Sequence, residues 1–277
     1  MKKVIKLNDL RDARTALSGS IGFVPTMGFL HEGHLSLVER ACSEQDSVVV
    51  SIFVNPTQFA PTDDLDAYPR DIARDAALLQ EAGADLLWMP TNEIMYPPDF
   101  QTWVEVNEIT KPLEGEKRPG HFRGVTTIVT KLFNAVQPQA AYFGQKDAQQ
   151  VAVIKQMVRD LNMPIEIIAS PIVRERDGLA MSSRNSYLNP TERQAALVLS
   201  KSLQKAKSVY ENGERDADIL RKQMEEIINA EPLARLEYVS CADYTSLTEL
   251  DIVERKALLS MAVYIGKTRL IDNLILE

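Results

Sequence analysis

The stretch from 23 to 34 reads F-V-P-T-M-G-F-L-H-E-G-H and constrains the chain more than any other. Residues 21–25 form a short apolar run bounded by Gly22 and Pro25, the pattern of a buried strand leaving a sheet. Gly28 and Gly33 permit tight turns, and Leu35, Val38 and Ala41 then follow a helical period, so a helix is predicted to start near Gly33 or His34. Strand, glycine turn and helix start in succession predict unpaired backbone N–H groups aimed at whatever sits in the turn. The helix dipole adds positive potential there, so the spot suits an anion. His31 and His34 stand at that spot.

A zinc site would need further ligands at workable spacing. The third histidine, His121, and the two cysteines, Cys42 and Cys241, are scattered, which argues against one. The spacing H-E-G-H at a strand-to-helix turn resembles the H-x-G-H signature of the nucleotidyltransferase and class I aminoacyl-tRNA synthetase superfamily, whose histidines lie along the triphosphate of ATP.

At 277 residues the sequence can bury a full core in one large or two moderate domains. Polar Lys6, Asn8 and Asp9 interrupt any signal-peptide core behind the basic start, and no apolar run approaches the roughly 20 residues of a membrane span. Two cysteines imply no disulfide framework, so a soluble, cytoplasmic protein is expected. The formal charge of −8 argues against non-specific nucleic-acid binding. It leaves a polyanionic small ligand open, because screening beyond about 8 Å lets a pocket's own cations set its potential.

Along the chain, Asn8 or Asp9 is expected to cap a first helix to about 17. Residues 47–54, S-V-V-V-S-I-F-V, read as a strand buried on both faces. Asn55 and Gln58 follow it, where α/β sheets bind ligands, although a plain turn asparagine explains Asn55 alone. The carboxylate-rich segment 63–71, with Pro61 and Pro69, reads as a solvated loop. Ile72, Ala76 and Leu79 predict one face of a helix stopped by Gly83, and strands are expected at 86–89 and 103–106.

The segment 111–124 gathers Lys117, Arg118, His121 and Arg123. It reads equally as a mobile surface loop or as a cationic cover for a triphosphate. An amphipathic helix carries Val125 to Val136. A strand at 139–143 then leads into Gly144, Gln145, Lys146, Asp147, Ala148, Gln149 and Gln150, which open a further helix. Asp147 could be a plain N-cap and Lys146 a solvated side chain. Packed together at a second strand-to-helix turn, these residues mark a second ligand-facing edge.

After a strand at 165–168, Met181, Ser182, Ser183 and Arg184 offer two hydroxyls and a guanidinium in one loop. Asn189-Pro190-Thr191-Glu192 starts a helix predicted to run to about 211. A helix at 216–228 and strands at 236–241, 258–265 and 268–276 follow, the last two joined by Gly266-Lys267. The expected fold class is α/β: a Rossmann-like parallel-sheet nucleotide domain over 1–174 and a smaller C-terminal α+β lid domain over 175–277.

No G-x-G-x-x-G, P-loop or G-x-S-x-G pattern occurs. The chain closely resembles the pantoate–beta-alanine ligase (pantothenate synthetase) family through five motifs between 25 and 188. They are P-T-M-G-F-L-H-E-G-H, F-V-N-P-T-Q-F, R-P-G-H-F-R-G-V-T-T, F-G-Q-K-D-A-Q-Q and D-G-L-A-M-S-S-R-N-S-Y-L. Phe29 stands in a slot that the family varies. The resemblance implies ATP-dependent condensation of (R)-pantoate with beta-alanine through a pantoyl-adenylate, releasing AMP and pyrophosphate, with Mg2+ accompanying ATP. It implies catalytic roles for His31, His34, Lys146 and Arg184, with His34 as proton donor. The same resemblance puts ATP on Met27, Gly28, His31, His34, Gly144, Gln145, Lys146, Asp147, Val173 and the run Met181, Ser182, Ser183 and Arg184. Gln58, Asn55 and Gln150 would hold pantoate or beta-alanine, and the family forms homodimers. Cytidylyltransferases share the H-x-G-H turn but not the Q-K-D and R-P-G-H-F segments. A tRNA-dependent synthetase would need an RNA-binding surface, which the acidic balance disfavours. A silent ATP sensor would keep every motif.

Overall fold

β-Branched and apolar runs too short to bury themselves as helices pair side by side in parallel. In the computed structural model, residues 1–60 and 64–277 are described, so Pro61 and Asp63 of the predicted acidic loop lie outside the described residues. Two compact units emerge, one of Met1–Gln145 with Gln149–Pro171, the other of Lys146–Ala148 with Ile172–Glu277.

The first unit runs β1 (Lys2–Val4), α1 (Leu7–Thr15), β2 (Ile21–Thr26), α2 (Glu32–Glu44), β3 (Ser47–Ile52), α3 (Ile72–Glu81) and β4 (Leu86–Trp88). It continues through α4 (Asn92–Met95), α5 (Glu114–Lys117), α6 (His121–Val136), β5 (Ala140–Gly144), α7 (Ala148–Asp160) and β6 (Glu166–Ser170). The six strands form one parallel sheet in the order β1-β4-β3-β2-β5-β6. From β2 the chain steps outward through β3 to β4, then returns to lay β5 on the other side. The edge between β2 and β5 is therefore the topological switch point, where α/β sheets bind ligands. The Rossmann-like expectation is met.

Side chains alternate across the sheet. Phe23, Val49 and Trp88 pack with Phe133, Val129 and Ile154 on one face, while Val24, Val50 and Leu87 pack with Val38 and Leu79 on the other. Pro25 lies inside central β2 yet has no N–H to give a ladder. Pairing of β2 with β5 stops at Phe23↔Ala141, whereas β5 pairs on with β6 to Gly144↔Ser170. The sheet parts where the two signature turns begin.

Several boundaries differ from the sequence expectation. Lys6, not Asn8 or Asp9, precedes α1 and gives no side-chain cap; Asp9 instead lies in the first turn, favourable to the dipole. Ile72 is 45 % exposed, so the inner face of α3 is carried by Asp75, Ala76 and Leu79. The strand predicted at 103–106 is absent. The Val104 N–H donates to Thr127 Oγ1 (3.0 Å) and its carbonyl accepts from Thr126 Oγ1 (2.6 Å), so threonines of α6 take the place of a ladder. More than half of the predicted cationic segment is helical, because α5 takes Glu114–Lys117 and α6 starts at His121.

The second unit holds α8 (Pro190–Ala195), α9 (Leu197–Glu211), α10 (Ala217–Asn229), β7 (Ala234–Asp243), β8 (Ala257–Ile265) and β9 (Thr268–Leu276). The three strands form an antiparallel sheet, and Leu199, Leu203, Leu220 and Met224 of α9 and α10 share a core with Leu259, Met261 and Val263 of β8. Asn189 and Glu192 make the predicted capping box. The single helix predicted there is divided at Ala196. Its most buried charge is Asp272, which takes both guanidinium nitrogens of Arg174 at 2.7 and 2.9 Å.

Two substitutions test this packing. A Cβ on Gly124 would stand 2.4 Å from the Thr57 carbonyl oxygen and 2.8 Å from Gln58 N, so α6 fits against the 56–58 turn only without one. Gly124→Ala, which stabilises an open helix by about 1 kcal/mol, is expected here to destabilise by about 1–3 kcal/mol. A raised midpoint in urea would contradict that close approach. Asp272→Ala strands the Arg174 guanidinium and is expected to cost about 3–5 kcal/mol. Denaturation monitored for the second unit should show a lower midpoint at unchanged slope; an unmoved midpoint would reduce the pair to decoration.

Candidate active site

Beyond β2 the backbone enters the left-handed region twice in succession, at Gly28 (φ +85°) and Phe29 (φ +49°). A Cβ on Gly28 would meet Ile52 Cγ2 at 3.0 Å and Asp75 Oδ2 at 3.1 Å, so both its conformation and its space demand glycine. Successive N–H groups in such a bend converge into an anion-binding nest. Here the anion is the protein's own: the fully buried Asp75 carboxylate accepts from Phe29 N–H (2.6 Å) and Leu30 N–H (2.9 Å). Two of the turn's N–H groups, at Phe29 and Leu30, are therefore spent inside the fold. Asp75 carries no motif of its own in the sequence.

What the turn offers instead is imidazole. His31 is the N-cap of α2, and its Nδ1 accepts from the Gly33 N–H (3.1 Å); His34 Nδ1 accepts from the His31 N–H (3.3 Å). This is a capping box made of two histidines. A backbone N–H can only donate, so each Nδ1 must be unprotonated and each neutral ring carries its proton on Nε2. The rings lie 4.0 Å apart, tilted by 40°. Fixed in tautomer and orientation, they suit the oxygens of a phosphate chain.

The turn after β3 adds an amide pair. Asn55 is 1 % exposed and fully engaged. Its Oδ1 accepts from Tyr96 Oη (2.8 Å) and Thr57 Oγ1 (3.0 Å), and its Nδ2 donates to Gln58 Oε1 (3.1 Å) and the Gly124 carbonyl (3.1 Å). Gln58 Nε2 reaches Met27 Sδ at 3.1 Å. Met27, Asn55 and Gln58 are thus brought together. Burial pushes the Tyr96 phenol above its ordinary pKa, so it stays a donor.

His121 and Arg118 serve the same turn. The Gln58 carbonyl accepts from His121 Nδ1 (2.8 Å) and Arg118 Nη2 (3.3 Å), and His121 Nε2 lies 3.3 Å from Arg118 Nη1. His121 therefore holds the opposite tautomer from His31 and His34. Arg123 lies 4.8 Å above the Trp103 ring, and Lys117 pairs with Glu116 at 2.7 Å. The cationic segment is anchored to its surroundings. A cleft of ≈ 260 Å³ opens at the carboxyl ends of β2, β3 and β4, lined by Met27, Gly28, Phe29, Ile52, Arg70 and Asp75 among others.

At the second turn, Gly144 ends β5 and Gln145 is buried; a Cβ on Gly144 would meet open space. The two glutamines that follow part company. Gln149 is buried and pins 109–114, accepting from Glu114 N–H (3.0 Å) and donating to the carbonyls of Ile109 (3.0 Å) and Pro112 (2.8 Å). Gln150 is half-buried and makes no side-chain hydrogen bond among the described residues.

The remaining predicted residues belong to the second unit. The Lys146 carbonyl accepts from Asn273 Nδ2 (2.8 Å), and Lys146 Nζ lies 3.7 Å from Asp147 Oδ1. Met181 N–H donates to the Val173 carbonyl (3.0 Å) across a turn that ends in left-handed Gly178 (φ +97°). Ser182 caps the short turn Ser183–Tyr187 by accepting from Arg184 N–H (3.3 Å). Charges that, apart from Asp177, lie outside the motifs hold this loop. Arg193 donates to Glu175 (2.6 Å) and Asp177 (2.9 Å), which holds the Asp177 carboxyl below its usual range. Asn185 ties Glu175 to the Ala180 carbonyl, and Arg174 ties Gly178 and Asn273 to Asp272.

Known proteins share this layout. A model of the pantoate-beta-alanine ligase family matches residues 1–275. The pantothenate synthetase of Roseiflexus castenholzii is 58 % identical over 277 residues, all of both chains, and that of Thermoanaerobacter sp. strain X514 is 58 % identical over 273 residues, 98 % and 96 % of the two chains. The crystal structure of pantothenate synthetase from Thermus thermophilus superposes with a TM-score of 0.95 at 48 % identity, covering 99 % of each chain. A pantoate-beta-alanine ligase from Francisella tularensis, complexed with beta-gamma ATP and beta-alanine, gives 0.82 at 36 % identity over 99 % and 97 %. With the model spanning nearly its whole length and relatives this similar, the chain belongs to the pantoate–beta-alanine ligase family.

Proposed function

We propose that the chain works as an ATP-dependent ligase that joins (R)-pantoate to beta-alanine in two steps through a pantoyl-adenylate. Ligase activity toward these substrates follows from the family. The observation that carries the adenylate route is the pair of Nε2–H imidazoles fixed by the cap of α2. A pantoate carboxylate is already ionised at neutral pH, so its attack on the α-phosphorus needs no general base. The bond from carboxylate oxygen to phosphorus forms as the bond to pyrophosphate breaks. Such a transfer asks for alignment and charge neutralisation, which preorganised donors supply. The amine of beta-alanine then attacks the acyl carbon and AMP departs.

Roles are proposed residue by residue. His31 and His34 donate to phosphate oxygens, His34 as the proton donor, with Met27, Gly28, Gly144 and Gln145 completing the nucleotide contacts of the first unit. In the second unit the nucleotide role falls to Lys146, Asp147, Val173, Met181, Ser182, Ser183 and Arg184, with Lys146 and Arg184 supplying positive charge. Gln58 and Gln150 hold pantoate, Gln58 also beta-alanine. Asn55, buried and saturated, acts from behind Gln58. Magnesium enters with its substrate as MgATP, held by phosphates and water. No cluster of three or more metal-binding side chains occurs among the described residues, and this use needs none. A homodimer built on the first unit and a cytoplasmic location complete the proposal; no helix among the described residues is long and apolar enough to cross a membrane.

The test is pantoate-dependent exchange of labelled pyrophosphate into ATP, followed by release of pantothenate with beta-alanine. Exchange without beta-alanine is expected; its absence alongside full turnover would refute the adenylate. His34→Ala and Lys146→Ala are each expected to lower the exchange rate by roughly 10²–10³ while staying folded, His34→Ala with a slightly lower melting temperature for the lost cap bond. Near-normal exchange in either variant would remove that residue from the site.

A further inference from the structure

Asn55 has both amide hydrogens committed and two hydroxyls at its carbonyl oxygen, themselves 3.0 Å apart, and its two ends cannot be exchanged. Tyr96 Oη and Thr57 Oγ1 meet at its oxygen, while its nitrogen meets the Gly124 carbonyl, which can only accept. Asn55 Nδ2 therefore points its other hydrogen at Gln58, and Gln58 must answer with oxygen. That leaves Gln58 Nε2, with one hydrogen toward Met27 Sδ and the other without a protein acceptor among the described residues.

We infer that Tyr96 is a positioning residue for the acyl substrate. Its hydroxyl steadies the Asn55 amide, whose flip the Gly124 carbonyl fixes, and so helps Gln58 present N–H donors, not an acceptor, to a carboxylate or hydroxyl oxygen. The inference rests on the proposed role of Gln58 as a substrate contact. The Tyr96 hydroxyl is itself fixed in direction by a ring clamp: Trp103 stacks at 6.3 Å, Phe100 meets the ring edge-on at 5.1 Å, and Lys131 Nζ lies 5.8 Å from the ring centroid. Tyr96→Phe keeps that clamp and removes only the oxygen. Asn55 then keeps one donor at Oδ1 and is held less firmly, so Gln58 presents its N–H donors to the substrate for less of the time.

Steady-state kinetics on the whole chain decide the matter. Tyr96→Phe is expected to raise KM for pantoate about 3–10-fold, the worth of one hydrogen bond, with KM for ATP within about twofold and the melting temperature nearly unchanged. In a Gln58→Ala background the same substitution is expected to add nothing, because the polarity it protects is gone. Equal rises in every KM together with a lower melting temperature would mark Tyr96 as merely structural and overturn the inference. An effect of Tyr96→Phe that persists in full beside Gln58→Ala would also overturn it. If Gln58→Ala leaves KM for pantoate unmoved, the substrate role of Gln58 fails and takes this inference with it. If Gln58→Ala raises KM and Tyr96→Phe does not, the relay alone fails.

Discussion

A proline in the middle of a parallel sheet is the constraint on which the rest depends. Pro25 sits inside β2, flanked by β3 and β5, and cannot donate to either. Its β3 side remains registered through Thr26↔Ile52, supported by the Thr26 hydroxyl on the Ser51 carbonyl (2.9 Å). Its β5 side lets go at Phe23. The strands that part are the two that carry P-T-M-G-F-L-H-E-G-H and F-G-Q-K-D-A-Q-Q, so the loss of ladder bonds at the switch point opens room between them. A residue able to donate there would favour extending the pairing and narrowing the crevice.

The same economy governs the polar side chains. Imidazole and carboxamide are ambiguous groups, able to donate or accept from either end. For the three histidines and for Asn55 and Gln58 the ambiguity is removed, directly or through one neighbour, by a backbone group with only one option. Backbone N–H groups force His31 and His34 to carry Nε2–H, and the Gln58 carbonyl forces His121 to carry Nδ1–H. The Gly124 carbonyl fixes Asn55, and Asn55 fixes Gln58. Donors oriented before substrate arrives cost no reorganisation when charge develops, so such a site needs no nucleophile to favour a charged transition state. Asp75 belongs to this scheme as well. By filling the nest at Phe29 and Leu30 with an internal carboxylate, it stabilises the strained left-handed Phe29 and leaves the imidazoles as the turn's outward chemistry.

Much of this was legible in one dimension because it is local. The strand begun at 21, the approximate start of α2, the double-faced β3 and the Asn189 helix start all declare themselves within about ten residues, through period, glycine and capping chemistry. What escaped is non-local. Asp75 reaches Phe29 across 46 positions, and Arg174 meets Asp272 across 98. A carboxylate in an amphipathic helix reads as solvated until the fold buries it. The strand predicted at 103–106 failed for a related reason. Its β-branched pattern was real, but Thr126 and Thr127 satisfied the backbone before any neighbouring strand could. Gln149 and Gln150, adjacent in sequence, differ only through which of them faces the 109–114 segment.

The second unit shows how paired charges shape a loop within an acidic chain. Its net charge says little about a loop, because fields from exposed charges are screened within about a Debye length, ~8 Å at physiological salt. What matters is which cations are already neutralised. Arg174 is paired with Asp272, and Arg193 with Glu175 and Asp177, so these guanidiniums hold the backbone around Gly178 and Asn185. A buried ion pair of this kind contributes little net stability but is costly to break. That asymmetry suits a scaffold: the loop that carries Met181, Ser182, Ser183 and Arg184 is confined by bonds whose partial loss is penalised, so it keeps one arrangement. Asn273, next to Asp272 on β9, extends the same confinement to the Lys146 carbonyl. The Lys146 carbonyl and the Arg174 guanidinium, which also reaches the Gly178 carbonyl, are thus both tied to one strand.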